Sequence, residues 1–150
     1  MSDYPAIAEL IPHSGPMVLL DEMTDWAPGR AACRMIVREQ APFVVDGELG
    51  APMTIEHMAQ AVAACLGYEA FRGGVGVRVG MIIACKRFEA HVPALDVGDE
   101  LVIAVERIRG NETLSHFECH VDRRAASSTH FKRAASATLT LFHAERPPGA

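Results

Sequence analysis

The sequence has no C-x-x-C pair, no block of like charge, no internal repeat and no low-complexity stretch. Its four cysteines, Cys33, Cys65, Cys85 and Cys119, stand in separate apolar segments. Zinc knuckles and dithiol redox motifs need paired cysteines, and small secreted domains need a bridging framework. These four therefore read as reduced, buried thiols in a cytoplasm-like compartment. A net charge of −5 spread along the chain argues against general nucleic-acid binding. The opening residues, Met1-Ser2-Asp3-Tyr4-Pro5, lack the basic start and long apolar run of a secretory signal. No segment offers the ~20 uninterrupted apolar residues of a membrane span. A cytoplasmic protein that does not enter the membrane is expected.

What the sequence does hold is a core. With 150 residues, 49% of them hydrophobic, the chain suits one domain over 1–150, long enough to bury roughly 70% of its unfolded surface. Its most distinctive stretch is 52–68, which reads as a helix apolar on nearly every side. Ile55, Met58, Ala59, Val62 and Leu66 recur at helical spacing, and Ala61, Ala63, Ala64 and Cys65 fill the flanks. Such a helix has to be covered all round. Glu56 and Gln60 are the two polar side chains well inside it, one turn apart on a shared stripe. A carboxylate on a buried helix is costly unless it has partners or a task.

Around this helix the pattern predicts strands. A short helix over Tyr4–Ile11 stops at Pro12, and Met17–Leu20 reads as a short buried strand after the His13-Ser14-Gly15-Pro16 turn. Ala31–Arg38 alternates, and residues 40–52 form a loop with two glycines and two prolines that delivers the chain to the helix. Phe71-Arg72-Gly73-Gly74 ends the helix. Four long strands follow: 77–92, with a bulge or bend expected near Cys85–Phe88, then 101–108, 114–121 and 129–142. The order predicts an α+β domain, an antiparallel sheet curled around one long central helix.

The motifs resemble a known family. Ile11-Pro12-His13-Ser14-Gly15-Pro16-Met17-Val18-Leu19-Leu20-Asp21 is similar to the opening L-P-H-R-x-P-F-L-L-V-D of the β-hydroxyacyl-(acyl carrier protein) dehydratases. Ile55-Glu56-His57-Met58-Ala59-Gln60-Ala61 is similar to their central L-E-A-M-A-Q-A. Arg87-Phe88 and Val97-Gly98-Asp99 resemble their R-F and P-G-D segments. The nearest resemblance is to a variant subgroup of predicted 3-hydroxylacyl-(acyl carrier protein) dehydratases, some of which serve aryl polyene synthesis. It implies the hot-dog fold and a dimer, with itself or with another hot-dog subunit. It also implies tunnels at the interface for an acyl thioester carried on the phosphopantetheine of an acyl carrier protein or on coenzyme A, with no further cofactor. In that family the helix acid, here Glu56, helps the β-hydroxyl leave, and a histidine from the G-H-F-P-G loop removes the α-proton. Backbone N–H groups polarise the thioester carbonyl. This loop, Pro42–Pro52, is shorter and has no histidine.

The candidate site residues follow. Glu56 is either the catalytic acid or a buried structural acid bonded to loop N–H groups. Gln60 orients Glu56 or binds loop backbone. His13, in the family's P-H pair, and His57, about 100° around the helix from Glu56, are candidate bases, against a turn histidine and a residue that reaches a substrate only across a dimer interface. Asp46 lies nearest the missing histidine and, by resemblance to hot-dog thioesterases, could activate water or attack the thioester. Asp46-Gly47 is equally an ordinary turn pair. Gln60, Gly50, Gly80 and Met81 are the candidate substrate-binding positions. No metal site is expected. His116, Glu118 and His120 share a strand face, but i and i+4 on a strand are ~13 Å apart, too far for one ion. Gly73-Gly74-Val75-Gly76 lies between helix and strand, the reverse of a dinucleotide fingerprint. Lys86, Arg87, Arg123, Arg124, Lys132 and Arg133 could meet an acidic carrier protein or coenzyme A phosphates. The expected activity is a 3-hydroxyacyl-(acyl carrier protein) dehydratase. The alternatives are a thioesterase and a non-catalytic partner of another hot-dog dehydratase.

Overall fold

Alternating apolar and polar residues in the second half of the chain produce long strands in the computed structural model, which describes residues 3–74, 79–111 and 113–144. After the short helix α1 (Ile7–Leu10) come β1 (Glu22–Ala27) and β2 (Arg30–Ile36), then the small strands β3 (Val44–Val45) and β4 (Glu48–Gly50). The long helix α2 (Thr54–Arg72) follows, then β5 (Val79–Ala90), β6 (Ala94–Asp96), β7 (Glu100–Gly110), β8 (Leu114–Arg124) and β9 (Lys132–Ala144). Six strands form one antiparallel sheet in the order β1-β2-β7-β8-β9-β5, and β3-β4-β6 form a small second sheet.

The chain crosses from β2 through α2 to the far edge at β5, then returns to β7 beside β2. The sheet therefore closes over the helix, which contacts β2, β7, β8 and β9. Register keeps one face dry: Cys33, Ile103, Val121 and Ala135 stand in a row across four strands, all buried. Met58, Val62 and Leu66 meet that face from α2, and each fully buried side chain of this kind stabilises by roughly 1.5–3 kcal/mol. The far end of α2 is tied down by polar contacts. Glu69 accepts from the Gly29 N–H (2.7 Å) and the Arg107 guanidinium (2.9 Å), and the Trp26 indole donates to the Cys65 carbonyl.

Three expectations change. Met17–Leu20 is not a strand: Gly15 (φ 59°) and Pro16 set a 3-10 turn at Gly15–Met17, closed by the Val18 N–H donating to the Gly15 carbonyl, and the Leu19 N–H is taken by Gln60 rather than by a neighbouring strand. The first strand begins instead at Glu22. The loop 40–52 contains a two-residue hairpin between β3 and β4, turned by Asp46 and Gly47, both with positive φ (53° and 79°). Cys85 is exposed on the edge strand, whereas Cys33, Cys65 and Cys119 are buried; burial pushes the Cys33 thiol up to about 12, with Cys65 nearby adding to the shift. Of two register shifts in β5, one lies where the broken alternation put it, between Lys86 and Glu89, with Arg87 at φ 56°, and the other between Ile82 and Ala84. No helix among the described residues is long and apolar enough to cross a membrane.

Candidate active site

The site grows from the first turn of α2. Thr54 Oγ1 donates to the Ala51 carbonyl, and the Ala51 N–H donates to the Pro93 carbonyl, so the helix start is fixed to the β5–β6 turn. From Thr54 to Ala70, Glu56 is the single exposed residue. It stands beside a half-buried apolar stripe, Ile55, Ala59 and Ala63, one helical turn apart. Its carboxylate makes no hydrogen bond or ion pair among the described residues. The buried, loop-bonded acid considered above is therefore not realised; the helix is covered, but the side that carries Glu56 is open. An acid in the first turn is favoured by the helix dipole.

The next residue faces inward. His57 is 1% exposed and its Nδ1 lies 3.1 Å from the Met53 carbonyl. A carbonyl only accepts, so Nδ1 carries the proton and Nε2 presents a lone pair. Burial holds the imidazole below its usual pKa, with the Met53 bond offsetting part of the shift. His57 lines a cavity of about 260 Å³ beneath residues 38–44, walled by Val18, Leu19, Met35, Val44 and Leu49. Asp21, Arg38 and Gln40 lie on its solvent side, where the Arg38 guanidinium is 2.8 Å from the Asp21 carboxylate. Asp21 and Arg38 had no assigned role in the sequence reading, although Asp21 closes the opening motif.

This burial has a measurable consequence. A histidine whose folded pKa is depressed adds stability above its unfolded pKa and loses it as pH falls. Unfolding midpoints should therefore drop below about pH 6.5, the ordinary histidine value. His120, half-buried on the outer face, is depressed in the same direction. Comparing the wild type with His57→Leu isolates the inner residue: thermal unfolding of the variant should show the shallower decline from pH 7 to 5. Superimposable pH slopes would remove His57 from the linkage.

The remaining candidates separate. Gln60 is buried, with both amide ends used by loop backbone: Oε1 accepts from the Leu19 N–H at 2.9 Å and Nε2 donates to the Met17 carbonyl. It pins the segment after His13 to α2 and does not touch Glu56. His13 is half-buried, its Nδ1 has no hydrogen-bond partner among the described residues, and it does not line the His57 cavity. Asp46 sits exposed at the hairpin tip, in the conformation of the turn pair. Gly50 pairs with Ala94, and a Cβ there would meet only Pro52, at 3.9 Å. Gly80 and Met81 pair with His143 and Phe142 in β5; their side-chain surroundings, and Gly76, lie outside the described residues. On the outer face, His116 Nδ1 meets Thr140 Oγ1 at 2.8 Å. Arg123 bridges Asp96 and Asp99, Arg124 pairs with Glu100 and Arg133 with Asp122, so among the described residues Lys86, Arg87 and Lys132 are the unpaired cations of that group.

Residues 5–148 match the family described as ApeP-like, ApeP dehydratase. No curated protein gives a significant match. Among solved structures, a chain of the dehydratase heterocomplex ApeI:P from Xenorhabdus doucetiae is similar, with a TM-score of 0.83 and 22% identity over 97% of this chain and 93% of that one. Zebrafish thioesterase superfamily member 2 aligns with a TM-score of 0.65 and 20% identity, covering 91% of this chain and 89% of its own. A hypothetical thioesterase with coenzyme A from Streptococcus pneumoniae TIGR4 aligns at 0.62 and 14%, covering 83% and 86%. At these identities the structural likeness establishes a shared fold, the hot-dog fold. The helix acid, the opening motif and the match over nearly the whole chain lead to one assignment: the chain belongs to the ApeP-like dehydratase family.

Proposed function

We propose that this protein supplies the acid half of a two-subunit dehydratase site, removing water from a 3-hydroxyacyl thioester to give the enoyl thioester. The carrying observation is the open stripe of α2. A helix otherwise covered by its sheet, by α1 and by the 17–19 segment leaves Ile55, Ala59 and Ala63 half-buried and Glu56 exposed among them. A second hot-dog subunit over that stripe would bury the apolar residues and enclose the acid beside a substrate.

In the reaction a base takes the α-proton, its bonding pair becomes the carbon–carbon double bond, and the β-hydroxyl leaves as water with a proton from Glu56. The base is the missing part. The hairpin that replaces the family's histidine loop carries none, Asp46 stands at its tip, and His57 faces the interior cavity rather than the Glu56 side. A histidine from the partner subunit fits this division of labour, and the similar dehydratase structure ApeI:P is a heterocomplex. The edge strand β5 supports pairing of the two sheets. It is twelve residues long, with exposed Ile83, whereas the opposite edge, β1, has six residues. The thioester would arrive on an acyl carrier protein or coenzyme A in the cytoplasm, in fatty-acid or polyene-type chain synthesis, with Lys86, Arg87 and Lys132 available to an acidic carrier.

The test is to assay the purified chain, alone and with a co-expressed hot-dog partner, on 3-hydroxyacyl and saturated acyl thioesters. Enoyl absorbance that appears with the partner supports the reading. Free thiol from the saturated thioester, without enoyl product, would make the protein a thioesterase. Full dehydratase activity of the isolated chain would remove the need for a partner's base.

A further inference from the structure

The basic residues around the β8–β9 turn take no part in the chemistry at Glu56, yet they converge on a cavity of about 390 Å³ beside the end of β5. We propose that this cavity binds a phosphate group, either as a free phosphate or on the pantetheine arm that carries a thioester. The backbone around it is fixed. The His91 N–H donates to the Ala134 carbonyl at 2.8 Å, and Ser128 Oγ accepts the His130 N–H at 3.1 Å. These bonds bring two imidazoles from separate connections to one cavity.

Its lining selects the ligand. Among the described residues that line the cavity none is acidic, in a chain whose net charge is −5. Lys132 has no ion pair among the described residues, and the rings of His91 and His130 have no hydrogen bond there. Arg123 and Arg133 are already anchored. Asp99 (2.7 Å) and Asp96 (2.9 Å) hold the first, and Asp122 (2.7 Å) holds the second. A guanidinium has five N–H donors, and these carboxylates engage only Nε and one Nη of Arg123 and Nε of Arg133. Their charge is offset, but donors remain in a fixed orientation, and Lys132 supplies the net attraction. A carboxylate has two oxygens and one charge, too few for this set; a phosphate has more of both. The volume falls in the ~300–1,000 Å³ range of small-molecule sites, and Val92 and Ala134 offer an apolar floor to an organic substituent. The arm as source rests on the thioester reading. The phosphate site does not, and binding is read without turnover, so the two can fail separately.

The experiment titrates the whole chain with inorganic phosphate, pantetheine and phosphopantetheine. Binding is followed by calorimetry and by the imidazole ¹⁵N resonances of His91 and His130. The expected result is saturable shifts at both histidines with the two phosphate compounds. Phosphopantetheine should bind at least about tenfold tighter than pantetheine, the effect of one charge-assisted hydrogen bond. Binding tighter than that of inorganic phosphate assigns the site to the carrier arm, and equal binding assigns it to free phosphate. Lys132→Glu, at an exposed position, should abolish the shifts. Arg109→Glu makes the same charge change on β7, outside the cavity, and should leave them intact. Pantetheine binding as tightly as phosphopantetheine, or no saturable shift with either phosphate compound, would overturn the proposal. So would shifts that survive Lys132→Glu, or that are lost equally in both variants.

Discussion

Glutamine in place of Glu56 is expected to lower dehydration about 10²- to 10⁴-fold, the usual contribution of a positioned acid, measured as enoyl formation by the chain with its hot-dog partner. The substitution keeps the shape of the side chain and removes its proton-donating chemistry. It should leave the fold alone. Glu56 is exposed and makes no bond among the described residues, and its favourable position in the first turn of α2 is worth about 0.3–1 kcal/mol at most. A loss of turnover with an unfolding midpoint within a few degrees of wild type would thus be a chemical effect. Because the interaction with the leaving hydroxyl strengthens in the transition state, kcat should fall with little change in KM. Dehydration that survives Glu56→Gln unchanged would remove Glu56 from the mechanism.

The second large effect is structural and carries the opposite sign from what local rules give. Alanine for glycine inside a helix ordinarily stabilises by up to about 1 kcal/mol. At Gly67 we expect a net loss of about 2–5 kcal/mol in chemical denaturation, from overpacking and lost burial together. A Cβ there would stand 1.9 Å from the Leu10 carbonyl oxygen and 2.9 Å from its carbon. Those are backbone atoms, which cannot rotate away as a side-chain end would. The end of α1 would have to lift, uncovering Ile7, Leu10 and Ile11, all buried in the core. Displacement of this segment also strains the 17–19 stretch that Gln60 holds. A Gly67→Ala protein as stable as wild type would show that α1 is free to move off α2.

The effects at Glu56 and Gly67 mark two kinds of information. Gly67 looks in the sequence like a weak point in a helical run; only the approach of Leu10, 57 residues earlier, makes it a requirement. Glu56 looks like an expensive buried charge. The helix is buried as its composition demands, yet from Thr54 to Ala70 this one position is open, because a single sheet cannot surround a helix completely and the uncovered side falls where the acid is. Gln60 illustrates a third case. Its place one turn from Glu56 invites a role beside the acid, but the side chain turns to the Met17 and Leu19 backbone because those groups have no strand neighbour to satisfy them.

By itself the sequence determined the periodicities: the alternation along β2, β7, β8 and β9, the apolar helix, the bulge near Arg87, and with the two motifs the family. These are local properties, set by side-chain direction along the backbone, and they survive in any arrangement that buries the right face. What only the tertiary structure decided is which side of α2 stays open, that His57 shares a cavity with Asp21 and Arg38 rather than a face with Glu56, and that the loop before the helix folds into a hairpin. The first two depend on groups far apart in the chain meeting across a curved sheet, and no spacing within the sequence encodes where that curve leaves a gap; the hairpin turns locally at Asp46-Gly47.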